Sequence, residues 1–425
     1  MRKKLKQIFQ PAEIAVKKVL GIKKLKKGQL FDEQGFVKDG REKLTRYAFF
    51  VPFYQKIKFI TNVNEFSNGA SFGAHSQNGG GGGQSAPKSY LYTFKVHYKL
   101  FGLLIFTQTF TQIPKFHLKI CSKNADFCNL GKYIATTPNI EQQIFTLIKG
   151  LSQENKDFVL RQISRSKQAY DNDCLITDLT KEEIKEISYI YNEFYPNILE
   201  LSENLYYYKG YYLPIKAFIA GIFVHKHCLD IFTKQTLENI KTKEVIDVGG
   251  FIGDSAILFE KEFTDKNVYT FEPTKENHEL TKRTIQLNNS SRIIPIKMAL
   301  GANKSTMQIN TCAGGCSSMA FHITDRVENV EVTTLDIFAK EHNLKIGLIK
   351  VDIEGFEMQF LQGAKETICA QKPALCISIY HSGDDYFNIK PLIESWNLGY
   401  KFQIYKRIDG DSLTTDTSLF CEVLE

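Results

Sequence analysis

No stretch of this sequence holds about 18 uninterrupted apolar residues, so no membrane-spanning helix is expected. A disulfide framework is also missing: the nine cysteines are odd in number and scattered without a repeating spacing, which fits a reducing, cytoplasmic compartment. The opening "MRKKLKQIFQ" is basic, but it lacks the apolar run and small-residue cleavage site of a secretory signal. Two spacings that suggest metal are incomplete. In "HKHC" His225 and His227 are two apart and would not share a helix face, and the Cys312–Cys316 "CAGGC" has no second pair. No metal site is expected from these spacings.

What is present is a chain of 425 residues, long enough for two or three domains, with 20 Tyr and 32 Phe. Its net charge of +7 is uneven: residues 1–27 hold ten Lys or Arg against Glu13, so that segment carries +9 and the remainder −2. Apolar residues interleave with these cations. The segment therefore reads either as a basic amphipathic helix on an anionic membrane surface, at the inner face of the cell membrane, or as a solvated N-terminal arm. No nucleic-acid motif follows it, so no nucleic-acid partner is expected.

Residues 66–88, rich in Gly, Ser and Asn, cannot bury enough apolar surface to order themselves and read as a linker. After them "YLYTFKVHYKL", "LLIFTQTF" and "KFHLKICSK" read as a small β-meander over residues 89–135. A helical connector is expected over 136–205, with Pro138 near one helix start, Gly150 at its end, and a Thr180–Glu183 capping box. The tyrosine-rich "YYYKGYYLPI" then forms a turn whose rings either wall a ligand site or pack on a sheet.

From residue 245 the pattern changes to short apolar strands separated by helices, which implies a parallel sheet covered on both faces. "VIDVGGFIGDS" is a strand, a glycine turn and a helix start, the first unit of a Rossmann-type nucleotide site or simply a tight structural turn. Glu272 ends the next strand, 19 residues after Gly253, where a carboxylate accepts hydrogen bonds from both ribose hydroxyls. That position suits NAD and S-adenosylmethionine alike. The turn reads Asp-x-Gly-Gly-x-x-Gly, however, with Asp247 placed to meet the amino group of a methionine moiety. "YKFQIYK" and "SLFCEVLE", joined without room for a crossover helix, must close the sheet as an antiparallel hairpin. Both features favour a class I methyltransferase sheet.

"VIDVGGFIGDS", "YTFEP", "VTTLD" and "IKVDIEGFEMQFLQGA" together resemble the FkbM family of S-adenosylmethionine-dependent methyltransferases, over residues 206–425. The resemblance implies a class I Rossmann-like α/β fold, here preceded by the helical segment and the small β-rich region, and methylation of hydroxyls on sugars or secondary metabolites. Family members more often carry alanine or another small residue at the Gly250 position. The expected cofactor group is Asp247, Gly249, Gly250, Gly253, Asp254, Ser255, Glu272 and Ala299. Asp352, Glu354 and His381 stand at the C-terminal ends of the fourth and fifth strands, the ligand edge of such a sheet. Asp352 reads either as a site acid or as a structural one paired with Lys350. Glu354 reads as a site acid or as a favourable charge at a helix start. His381, with an ordinary pKa near neutrality, reads as a general base or as a satisfied strand-end histidine. The expected acceptor is a sugar or glycan of surface-polysaccharide assembly. Two rivals stand beside this reading: an NAD-dependent nucleotide-sugar oxidoreductase, and a methyltransferase-fold scaffold without activity.

Overall fold

The computed structural model describes residues 23–27, 41–48, 51–66, 89–100, 103–112, 125–171, 180–311, 317–318, 326–409 and 416–424. They fall into two compact units, the strands before residue 113 and the chain from residue 125 on. In the first unit β1 (Lys23–Lys27), β2 (Arg41–Ala48), β3 (Val51–Phe66), β4 (Ser89–Leu100) and β5 (Leu103–Gln112) form one five-stranded sheet in chain order. Each neighbouring pair is antiparallel. The meander thus begins upstream of the Gly/Ser-rich segment, of which residues 67–88 lie outside the described residues. Lys23–Lys27 corrects the helical reading of residues 1–27: cross-strand pairing with residues 43–47 overrides the local periodicity. Residues 1–22, the rest of that expected membrane-surface segment, lie outside the described residues, as does the expected strand "KFHLKICSK".

Helices begin earlier than their pattern suggested, at Ala125–Thr136, inside the stretch read as meander. Leu130 and Ile134, one helical turn apart, are both buried. Ile140–Ile148 and Gln153–Asp171 follow, and the Thr180–Glu183 capping box opens Lys181–Tyr189. Glu183 also takes a two-pronged ion pair from buried Arg165, at 2.7 and 2.8 Å. These helices are more than a connector. Leu130, Leu147, Val159 and Ile163 share one hydrophobic core with the main sheet. The tyrosine-rich turn is a hairpin, β7 (Leu205–Tyr208) and β8 (Tyr211–Leu213), with β6 (Leu199–Ser202) beside it.

The main sheet has seven strands: β9 (Glu244–Val248), β10 (Val268–Phe271), β11 (Ile293–Ile296), β16 (Ile346–Val351), β17 (Ala374–Ser378), β18 (Tyr400–Tyr405) and β19 (Ser418–Val423). Their spatial order is β11-β10-β9-β16-β17-β19-β18. The first five are parallel, and the last two are antiparallel to their neighbours, as the hairpin argument required. Every residue of β10, β16 and β17 is buried, the signature of a sheet covered on both faces. One core packs Ile246, Phe271, Ile349 and Ile377, the other Val245, Val268, Leu348 and Cys376. Edge strand β18 is capped by buried Asn155, whose side-chain amide both donates to and accepts from the Ile404 backbone, at 2.6 and 2.9 Å.

The expected third strand, residues 292–301, is divided. β11 stays in the main sheet, while β12 (Ala299–Leu300) leaves it to join β15 (Val327–Thr333), β13 (Ser305–Thr311) and β14 (Ser317–Ser318) in a second sheet. Among the described residues no helix is long and apolar enough to cross a membrane.

Gly249 shows how tightly the strand ends are locked. Its φ is +82°, and an added Cβ would lie 1.8 Å from the Asp352 carbonyl oxygen. Gly249→Ala should therefore cost at least about 2 kcal/mol, overpacking and left-handed strain together. Urea unfolding measures this, and an unchanged midpoint would refute the close approach.

Candidate active site

Strand register builds the deepest layer. Asp247 on β9 stands opposite Thr270 on β10 and Lys350 on β16, so three polar side chains meet inside an apolar sheet. Lys350 Nζ lies 3.2 Å from Asp247 Oδ1 and donates to the Gly249 carbonyl at 2.9 Å; Thr270 Oγ1 donates to Asp247 Oδ2 at 2.8 Å. Burial alone would strip the proton from Lys350, but Asp247, Asp352 and Asp254 outweigh it and push the ammonium up to about 12. The lysine is a fixed cation under the glycine turn. Asp247 is fully buried; its Oδ2 is hydrogen-bonded to Thr270, while its Oδ1 faces Lys350 without a hydrogen bond. Lys350 contacts Asp247 directly, and Asp352, one alternative partner that the sequence offered, adds to the field that holds its proton.

The turn itself hangs from the neighbouring strand: the Gly249 and Gly250 N–H groups both donate to the Phe271 carbonyl, at 3.1 and 2.9 Å. A Cβ on Gly250 would meet Thr270 Oγ1 at 1.9 Å, so a larger residue fits here only if Thr270 moves. Gly253, at φ +80°, precedes helix Asp254–Glu262. Phe251 between them adopts φ +45°, rare for a side-chain-bearing residue.

At the helix start Asp254 accepts a hydrogen bond from its neighbour's Ser255 N–H at 2.9 Å. Burial pushes the Asp254 carboxyl up to about 7 against the pull of Lys350. Ser255 Oγ lies 2.9 Å from His227 Nε2. Burial, with Lys350 adding to it, drives that imidazole down to about 3, so the ring is neutral. The "HKHC" stretch carries the strain: Lys226, His227 and Cys228 have φ of +51°, +55° and +56°. Three consecutive left-handed residues cost on the order of 1–2 kcal/mol each. Such strain persists where surrounding contacts enforce it, commonly at functional sites.

Glu272 follows β10. Its Oε1 accepts from Thr274 Oγ1 at 2.6 Å and from the Thr274 N–H at 3.0 Å. Burial pushes its carboxyl up to about 7, against hydrogen bonds from Thr274, Phe251 and Asn277. Ala299 is set apart from this group: its methyl packs with Ile309, Val330 and Val332 in the second sheet.

The acceptor-side residues do converge. His381, just past β17, has Nε2 3.3 Å from Asp352 Oδ1 and 3.5 Å from Glu354 Oε2, and Nδ1 2.9 Å from Glu357 Oε1. Glu357 begins helix Glu357–Gly363, and its Oε1 also accepts the Ile353 N–H at 2.9 Å. His381 and Glu357 have no exposed side-chain surface, while Asp352 and Glu354 keep 31% and 29%. Burial would lower the His381 pKa, but Glu357, Glu354 and Asp352 together hold it well above its usual value. These carboxylates favour the protonated ring, which bears on the expected role of His381 as a general base. Glu354 sits at φ +55° outside a regular helix, so a helix-start role does not account for it.

Sequence reasoning missed Lys350, His227 and Glu357. A lone lysine in the apolar strand "IGLIKV" was a legible signal of a buried pair. His227 was discounted by a helix-spacing rule that its left-handed backbone does not obey.

The sheet order, with parallel strands closed by an antiparallel pair, defines a class I methyltransferase fold. The family model described as Methyltransferase FkbM domain matches residues 247–402, spanning the glycine turn, Glu272 and the His381 cluster. Those 156 of the 425 residues are what is similar to that family. A curated relative, Methyltransferase 1 of Beauveria bassiana (strain ARSEF 2860), is 24% identical over 174 residues, covering 36% of this chain and 70% of that protein. The solved structure of a methyltransferase FkbM from Methylobacillus flagellatus KT is 18% identical with a TM-score of 0.44, covering 69% of this chain. The present chain spans 60% of that protein's length. A putative methyltransferase from Streptococcus mutans, solved in complex with SAH, is 12% identical with a TM-score of 0.30, covering 45% of this chain and 94% of that one.

Removing Lys350 should expose the constraint it satisfies. Lys350→Met leaves Asp247 buried without its cation and should cost about 3–5 kcal/mol in denaturant unfolding. The double variant with Asp247→Asn should recover part of that loss; purely additive effects would contradict the pairing.

Proposed function

We propose that this chain transfers the methyl group of S-adenosylmethionine to a hydroxyl oxygen, and that its acceptor is a sugar or glycan of polysaccharide assembly. The observation that carries the cofactor half is Glu272, a buried carboxylate at the end of the strand beside the glycine turn. Its existing partners are all hydrogen-bond donors, and it is suited to accept two more from a ribose diol. The acceptor half rests on Asp352 and Glu354, the partly exposed carboxylates at the C-terminal edge of β16. Carboxylates accept hydrogen bonds, which matches an acceptor rich in hydroxyl donors.

In the transfer the acceptor oxygen attacks the methyl carbon opposite sulfur. The C–O bond forms as the C–S bond breaks, the electron pair stays on sulfur, and the hydroxyl proton passes to the Asp352 carboxylate. Sulfonium is already a good leaving group, so the protein's contribution is alignment and exclusion of water. His381 lies among these carboxylates and positions them.

Two measurements bear on this reading. Burial holds a proton on Glu272 up to about pH 7, and ribose hydroxyls need the ionised form. Affinity for S-adenosylmethionine by calorimetry should therefore rise as pH increases through about 7. Glu272→Gln should flatten much of that rise and weaken binding by roughly 1.5–3 kcal/mol. An unchanged profile would remove Glu272 from the cofactor site, and preference for NAD would remove methyl transfer. On the acceptor side, Asp352→Asn should lower labelled-methyl transfer into a glycan fraction about 100-fold or more while leaving cofactor affinity nearly unchanged. Mass spectrometry of the product identifies the acceptor, and label appearing only in protein or lipid would overturn the glycan assignment.

A further inference from the structure

The His381 cluster makes fewer hydrogen bonds than a closed ion-pair network would show. Asp352, Glu354 and Glu357 converge on one imidazole, and Glu357 and the ring are wholly out of water. Glu357 Oε2 is fully buried and makes no hydrogen bond, and neither ring nitrogen of His381 makes one of good geometry. The Nε2 contacts at 3.3 and 3.5 Å are longer than the ~2.7–2.9 Å of charge-assisted bonds. An orphaned buried carboxylate oxygen is costly unless something else occupies the space it faces.

The geometry points to a divalent-cation site formed by Asp352, Glu357 and His381, with Glu354 beside it. One ligand atom from each of those three residues lies within 4.8 Å of the other two. Atoms bonded to one ion at about 2.0–2.3 Å stand up to about 4.6 Å apart, so small side-chain rotations bring all three onto one centre. Glu354, held at φ +55°, turns its carboxylate to the same imidazole and adds a third carboxylate. Carboxylates favour hard ions and imidazole favours transition ions, so the mixed set fits a transition ion of intermediate hardness such as Mn²⁺. An ion here would also offer open positions to the acceptor's hydroxyls through partly exposed Asp352. The histidine and cysteine spacings that the sequence offered as metal signals lie elsewhere, and the donors that converge are separated by up to 29 residues.

The test uses the full chain freed of metal by chelation and titrated with Mn²⁺, with the loss of the free-ion electron paramagnetic resonance signal as readout. One saturable Mn²⁺ per chain is expected, with spin-echo modulation from a directly bonded ¹⁴N of the imidazole. Glu357→Gln and Asp352→Asn should each weaken Mn²⁺ binding at least about 10-fold. Asp352 is partly exposed, so its variant keeps the test decisive if Glu357→Gln fails to fold. Absence of saturable binding, absence of the ¹⁴N modulation, or unchanged affinity in Asp352→Asn overturns the site. S-adenosylmethionine binding measured on the same samples separates the two proposals. Cofactor binding without Mn²⁺ defeats only the cation site, and Mn²⁺ binding without cofactor defeats only the methyl-transfer reading.

Discussion

Lys350 and Asp247 are the constraint around which the nucleotide half of this protein is arranged. Two charges on adjacent central strands of a seven-stranded sheet cannot be left unpaired, and register places them directly opposite each other. The pair also fixes its surroundings. Lys350 holds the Gly249 carbonyl, Thr270 holds Asp247, and the turn's N–H groups reach across to Phe271. The glycine turn is therefore tied to both neighbouring strands before any ligand arrives. Pre-organisation of this kind lowers the ordering cost that binding must meet.

The same cation sets the electrostatics around it. Lys350 draws Asp254 toward its ionised form and keeps His227 neutral, so one buried ammonium acts on two groups at the start of helix Asp254–Glu262. Glu272 lies beyond that influence and is governed by burial. At the ends of β16 and β17 the arrangement is inverted, with the carboxylates of Asp352, Glu354 and Glu357 crowded around one imidazole.

Strand and helix order from residue 245 onward was legible because a parallel sheet writes itself as apolar segments at helical intervals. The antiparallel closure was legible because no crossover fits between β18 and β19. The division of the third strand was not, since "RIIPIKMALG" is mostly apolar and gives no local reason for Ala299 to leave the main sheet. Helix Ala125–Thr136 was missed for a related reason. The burial that holds Leu130 comes from a sheet more than 100 residues away.

The sequence by itself determined the nucleotide-binding unit: a strand, a turn that only glycines can make, a helix start, and a carboxylate at the end of the next strand. All of these are local, within 28 residues, and are dictated by backbone sterics and periodicity. Tertiary structure alone decided which groups meet. Asp247 faces Lys350 because register put the two across from each other. His381 lies among carboxylates because folding brought Glu357, 24 positions upstream, to its other ring nitrogen. Protonation depends on which charges share a buried volume, and that is settled when distant strand ends converge.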